Sequence, residues 1–327
     1  SGPADVFGPI TNASGSRVLV TGGSTSTFYD TVTNQAGSQF TVSSASVAAF
    51  LGTVSGLAAF SGSGTTIFEG GASFGPLERT GTTVVDVSGT LNTDHVRENT
   101  LIVDGIAQIT PKATANSPAG TGVVQSLTID PGGTMDLANN SMVIDYTGSV
   151  GTLVSEVRGH LRSGRLFTSM ATATRRLGYA DNAVLHKSTF AGQAVDTSSI
   201  LIKYTYAGDA DLDGDADGVD IGTWATNFTG ELGGTGSMVW TQGDWDYDGD
   251  VDGVDAGLWA QAFTGELGGG GLGELVLSAP DIAPGAAAIL RGLGVTVVPE
   301  PVTLTVASAA VLSRLLTRRR RRSQIKH

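Results

Sequence analysis

One stretch of this chain is written twice, and nothing else in the sequence restricts the fold as tightly. Asp209-Ala-Asp211-Leu-Asp213-Gly214-Asp215-Ala-Asp217-Gly-Val-Asp220 returns as Asp244-Trp-Asp246-Tyr-Asp248-Gly249-Asp250-Val-Asp252-Gly-Val-Asp255. Carboxylates fall at positions 1, 3, 5, 9 and 12 of each copy, with glycine at position 6. That spacing lets one tight turn bring hard oxygen donors onto a calcium ion. Gly214 and Gly249 supply the backbone freedom the turn needs. Position 7 ligates through its carbonyl in such loops, so Asp215 and Asp250 need not spend their side chains on metal. Position 12 is Asp where Glu is usual. A single Asp/Gly-rich stretch would read as a solvated turn. Two in the same register point to two calcium ions, one per loop.

Each loop continues alike. Ile221, Trp224 and Phe228 follow the first, and Trp259 and Phe263 follow the second, at the spacing of an amphipathic helix face. These aromatics are expected to pack between the two helices rather than to hold a ligand. Both copies close with Thr-Gly-Glu-Leu-Gly-Gly, at 229–234 and 264–269, a helix stop. No helical pattern enters either loop. Strand-like Ile200–Tyr206 precedes the first and the short Gly236–Gly243 precedes the second.

A loop with an exiting helix, duplicated, resembles a dockerin type I module rather than a full helix–loop–helix hand. Asp at position 12 is common in that family. The resemblance implies calcium binding at both loops and a cohesin-like partner. It departs at positions 10 and 11, where cellulosomal dockerins often carry a hydroxyl pair that contacts cohesin. Here these positions are Gly218-Val219 and Gly253-Val254. An intramolecular partner therefore stands beside a cohesin-like one.

The remaining sequence reads as an extracellular β-rich protein. Charged residues make up only 15%, and the chain holds 47 glycines and no cysteine, so disulfide and thiol chemistry are excluded. Much of the net charge of −12 lies in the two loops, so it signals metal and not a nucleic-acid partner. The chain begins Ser1-Gly-Pro-Ala, without a Met or a basic-then-apolar leader. It reads as a fragment or as already processed at that end.

Residues 1–150 are short apolar runs broken by Gly, Asn, Ser and Pro. Examples are Arg17–Val20, Gln39–Val42, Thr66–Glu69, Thr83–Val87, Thr100–Asp104, Val123–Asp130, Thr134–Leu137 and Met142–Asp145. They alternate with period two and recur at roughly 20-residue intervals, the sign of a solenoid. The expected fold is mainly β, a parallel β-solenoid, with a β-sandwich as the alternative. Segments 61–70 and 126–137 also resemble the autotransporter-associated β-strand repeats of bacterial surface proteins. Acids along the coil (Asp86, Asp94, Glu98, Asp104, Asp130, Asp136) and bases (Arg79, Arg97, Lys112) are expected in solvated turns. His95, His160 and His186 stand alone. No catalytic constellation is recognisable.

Leu153, Val157 and Leu161 lie on one face of a short helix, and a second helix is expected over Ser169–Leu177. Together they would cap the open end of the coil. Thr189–Ala194 and Ser199–Tyr206 are expected to form a terminal hairpin. The order of these parts resembles secreted planctomycete-type proteins. The reading divides the chain into solenoid 1–150, cap 151–206, calcium module 207–268, linker 269–298 with some strand at Glu274–Leu277, and tail 299–322.

The tail joins Pro299-Glu300-Pro301, an apolar run over 302–316 and five arginines at 318–322. The run is short of the ~20 residues of a comfortable span, and its basic end should stay cytoplasmic. The three parts in this order resemble a PEP-CTERM sorting signal. The resemblance implies transient anchoring in the inner membrane, an exosortase-type processing enzyme as partner, and delivery to the surface or matrix of a Gram-negative-type bacterium. The combined expectation is an exported, non-enzymatic surface or matrix protein with a binding or scaffolding role. Polysaccharide is a possible ligand. The alternatives are a dockerin-bearing β-helix lyase or hydrolase, and a true cohesin-binding module.

Overall fold

The computed structural model describes residues 2–56, 59–230, 236–265, 276–277, 282 and 285–298. Short strands that alternate with period two cannot bury an apolar face alone. Each needs a like strand above and below it. They find these neighbours in a parallel β-solenoid of about 7 turns. Its first sheet stacks Ala4–Val6, Thr25–Phe28, Val47–Phe50, Thr65–Phe68, Thr82–Val85, Val96–Val103, Gly122–Ile129 and Met142–Asp145, all parallel. The second sheet runs from Ile10–Asn12 to Leu166–Phe167 along the neighbouring side. A third side exists only in the first turns, as Arg17–Val20, Gln39–Val42 and Ala59–Ser61.

In-register parallel pairing places side chains of the same phase directly over one another, about one strand spacing apart. One interior column therefore reads Val6, Phe28, Phe50, Phe68, Val85, Val103, Ile129. Phe28 and Phe50 stack with ring centroids 4.9 Å apart, and Phe50 and Phe68 at 5.6 Å. Phe40 and Phe60 of the third sheet meet Phe50 edge-on.

Where the third side ends, Leu77–Glu78 pairs instead with the start of Val96–Val103, so one long strand spans two short ones. This junction corrects the expectation of solvated turns for Arg79 and Glu98. Both side chains are enclosed, with Arg79 Nε 3.0 Å from Glu98 Oε2. Thr66 and Thr83 accept from the guanidinium, and Thr83 also donates to Glu98. Burial pushes Glu98 up to about 7 even with Arg79 pulling it down. The other bases are drawn into pairs as well. Arg97 and His95 share Glu78 Oε1, at 3.0 and 2.8 Å, and Lys112 pairs with Asp94.

The coil ends in a cap. Helix α1 (Leu153–Arg162) buries Val157 and Leu161 with Leu153 half-buried, as its spacing implied. Two further expectations are overturned. Residues 175–181 form a strand, Arg175–Asp181, and not the end of a second helix. Ser199–Tyr206 does not close a hairpin with Thr189–Ala194. It inserts antiparallel between Met142–Asp145 and Arg175–Asp181. Thr189–Phe190 pairs only with Gln193–Ala194. The reason is burial. Leu177, Gly178, Tyr179 and Ala180 are all covered, which a strand sandwiched between the coil and the next module satisfies. Gly178 is required there, because a Cβ would lie 2.8 Å from Trp240.

After α2 (Asn182–Leu185) the chain enters the duplicated unit, whose helices are α3 (Gly218–Asn227) and α4 (Gly253–Ala262). Within the segment read as a linker, Val276–Leu277 pairs with Thr296–Val297. Helix α5 (Ala286–Gly292) buries Ala286 and Leu290 next to α4. Among the described residues no helix is long and apolar enough to cross a membrane. Pro299, Glu300, Pro301 and the apolar run after them lie outside the described residues.

Candidate metal centre

Each acidic loop ends by capping its own helix. Asp217 accepts from Val219 N at 2.7 Å, and Asp220 accepts from Asp217 N at 2.8 Å. Asp252 and Asp255 do the same for α4, at 2.6 and 2.9 Å. Positions 9 and 12 thus start the helix and face the loop at once. The copies lock together reciprocally. Trp224 Nε1 donates to Asp252 O at 2.8 Å, and Trp259 Nε1 donates to Asp217 O at 2.9 Å. Within each copy the aromatics pack on one another, Phe228 against Trp224 and Phe263 against Trp259. Thr229 and Thr264, just past the helices, each bind position 8 of the other loop: Thr229 N to Val251 O at 2.9 Å, and Thr264 N to Ala216 O at 3.0 Å. That role was missed in the sequence, although the repeated Thr at one register was its signal.

The carboxylates converge around position 12. Oxygens of Asp209, Asp211 and Asp220 lie within 4.8 Å of one another, as do those of Asp244, Asp246 and Asp255. Donors on a sphere of calcium's usual oxygen distance, about 2.3–2.6 Å, are separated by at most about 5 Å, so this span suits the ion. A second group in each loop joins Asp215 and Asp217 to Asp220, and Asp250 and Asp252 to Asp255. Position 7 was expected to contribute its carbonyl alone, and here its side chain joins this second group. Asp213 and Asp248, at position 5, are not in either convergent group. Their carboxylates accept the amides of Asp215 and Asp250, at 3.1 and 3.0 Å.

Position 1 is the most enclosed donor. Asp209 and Asp244 are both fully buried. Neither oxygen of Asp244 makes a full hydrogen bond with the described residues, the amide of Gly249 being the backbone donor turned towards it. A buried carboxylate left this way is costly unless a cation completes it. The donor set therefore fits a hard divalent ion.

Burial raises all four inner carboxylates. Asp209 is pushed up to about 6, with Lys203 pulling it back, and Asp244 up to about 7. Asp220 and Asp255 rise to about 8, against the amides that bind them. A folded-state pKa above the unfolded value adds stability at acid pH, and that stability is lost as pH rises through the folded value. Metal-stripped protein should therefore melt at a lower temperature at pH 8 than at pH 5.5. Calcium needs the ionised form, so its addition should reverse that order. Thermal melts followed by tryptophan fluorescence at both pH values check this, and a metal-free melting point that rises with pH would contradict it.

The loops sit against the cap. Their backbone carbonyls accept from Arg162 (to Asp248 O, 2.9 Å), Arg176 (to Trp245 O, 2.7 Å) and Lys203 (to Leu212 O, 2.8 Å). In return Tyr247 donates to Leu177 O at 2.6 Å, and the indole of Trp240, packed on Gly178, donates to Asp209 O. No family model matches this chain, and neither a curated protein nor a solved structure matches it.

Proposed function

We propose that this chain is an exported, non-enzymatic surface or matrix protein whose β-solenoid is closed at its C-terminal end by a calcium-stabilised module. One observation carries the reading: two loops gather buried carboxylates at equivalent points, Asp209, Asp211 and Asp220 in one and Asp244, Asp246 and Asp255 in the other. Calcium, when bound, supplies positive charge against each of these groups. The chain's own residues do the rest. Asp220 and Asp255 tie the loop to its helix, and Trp224 and Trp259 tie each copy to the other. Metal binding of this kind contributes directly to the stability of the module.

The hydrogen bonds from Arg162, Arg176 and Lys203 to the loops favour an intramolecular partner over a cohesin-like one. The cap already occupies that side of the module. The resemblance of Pro299-Glu300-Pro301 and the residues after it to a PEP-CTERM signal supports sorting by an exosortase-type enzyme to the cell surface or matrix. There the coil would meet polysaccharide.

The test is a calcium titration of the full chain, followed by heat and tryptophan fluorescence, with reversal by chelator. All four tryptophans, Trp224, Trp240, Trp245 and Trp259, are buried in the module. Saturation at two ions with a fluorescence change is expected. No uptake of calcium would overturn the reading.

A further inference from the structure

Both loops are entered by a cation from outside the duplicated unit. Lys203, on the strand Ser199–Tyr206, places Nζ 3.8 Å from Asp209 Oδ2. Arg158, on α1, places Nη1 3.9 Å from Asp244 Oδ2. Asp209 and Asp244 are the position-1 carboxylates, so the two cations reach equivalent points. The glycines at position 6 mark the same approach. A Cβ on Gly214 would lie 3.2 Å from Lys203 Nζ, and one on Gly249 would lie 3.0 Å from Arg158 Nη1. Both cations are largely covered and held in place. Lys203 donates to Leu212 O, and Arg158 donates to Met238 O.

Duplication does not explain this symmetry. One cation comes from a strand and the other from a helix, at unrelated places in the chain. What the two places share is the electrostatic need. A fully buried carboxylate at position 1 must be compensated when no metal is present. A cation within 4 Å does that, and the same charge opposes an arriving divalent ion.

We propose that Lys203 and Arg158 are built-in counter-ions of the two loops, stabilising the docked module without calcium and setting its calcium affinity low by opposing the ion's charge. This rests on the calcium reading above. It assigns the two residues a positioning and tuning role, and it makes the cap part of each metal site. Removing either charge must then act in opposite directions on the two states. The metal-free module loses a compensating charge, and the calcium form loses a repulsion. A side chain that only packs would weaken both states.

The experiment measures calcium binding by calorimetry and metal-free melting on the full chain carrying Lys203→Met or Arg158→Met. The altered loop should bind calcium about tenfold or more tightly. The metal-free melting temperature should fall by several degrees. Lys203→Arg and Arg158→Lys should keep both properties near wild type. Lys203→Gln keeps a donor for Leu212 O without the charge, so it separates loss of charge from loss of fold. If the wild type binds two ions and the Met variants bind them equally or more weakly, the counter-ion role is overturned. If the wild type binds none, the calcium reading itself fails. The metal-free melts then still decide whether the cations stabilise the loops, and unchanged melts would overturn that as well.

Discussion

Changing Asp209 and Asp244 together to alanine should abolish calcium uptake at both loops. Each occupies position 1, each is fully buried, and each lies in a convergent carboxylate group. In loop one, Asp209 Oδ1 also accepts the amide of Asp213 at 3.0 Å, so its loss loosens the turn that aims the other donors. Removing a donor and its charge from so enclosed a site should weaken binding by at least about 100-fold, or about 2.7 kcal/mol, at each loop. The calcium-dependent rise in melting temperature should disappear with it. Calorimetry measures the uptake, and far-UV circular dichroism verifies that the coil is retained. Two ions still bound by the folded double variant would show the assignment of position 1 to be wrong. Asp213→Ala provides the internal contrast. That carboxylate caps a backbone amide and stands outside the convergent groups, so a smaller loss is expected from it.

The second large effect lies far from the acidic loops. Phe50→Ala should destabilise the coil by about 3–5 kcal/mol, the usual cost of emptying an aromatic core position. Phe50 is 1% exposed. It is stacked between Phe28 and Phe68 and met by Phe40 and Phe60. Closing the gap would require shifting strands, because Phe28, Phe68 and Phe40 each sit on a strand paired on both sides. A solenoid is stabilised turn by turn, so the damage should spread from this level to its neighbours and not to the whole chain. Urea denaturation followed by circular dichroism measures it. Phe7→Ala is the control. Phe7 also stacks on a ring, Tyr29, but is 74% exposed, and its loss should stay within about 0.5 kcal/mol. Equal effects from the two changes would mean that the column is not the core of the coil.

Much of this molecule was legible in its sequence where the controlling interactions are local. Period-two alternation in Arg17–Val20 or Gln39–Val42 follows from the pleat, and both are strands with the expected bounds. The Asp spacing and the Gly at position 6 dictate a tight acidic turn through a few neighbouring residues. Asp217 and Asp252 start α3 and α4 by capping within the next two residues. The spacing of Leu153, Val157 and Leu161 likewise named the buried face of α1.

Only the tertiary structure decided what depends on residues far apart in the chain. Arg175–Asp181 is a strand because Ser199–Tyr206 pairs along its edge and Trp240 packs on it at Gly178, and no local pattern announces either partner. Arg79 reads as a turn residue until the end of the third sheet encloses it with Glu98. The phenylalanine column exists only once the register of the turns is set. The loops' aspartates were visible one by one, but Lys203 and Arg158 carry no signal in sequence. They reach Asp209 and Asp244 only because the cap folds against the module. Backbone geometry and capping act over a few residues and are written in order along the chain. Burial and charge compensation act through space, and they are settled when the coil, its cap and the duplicated acidic unit come together.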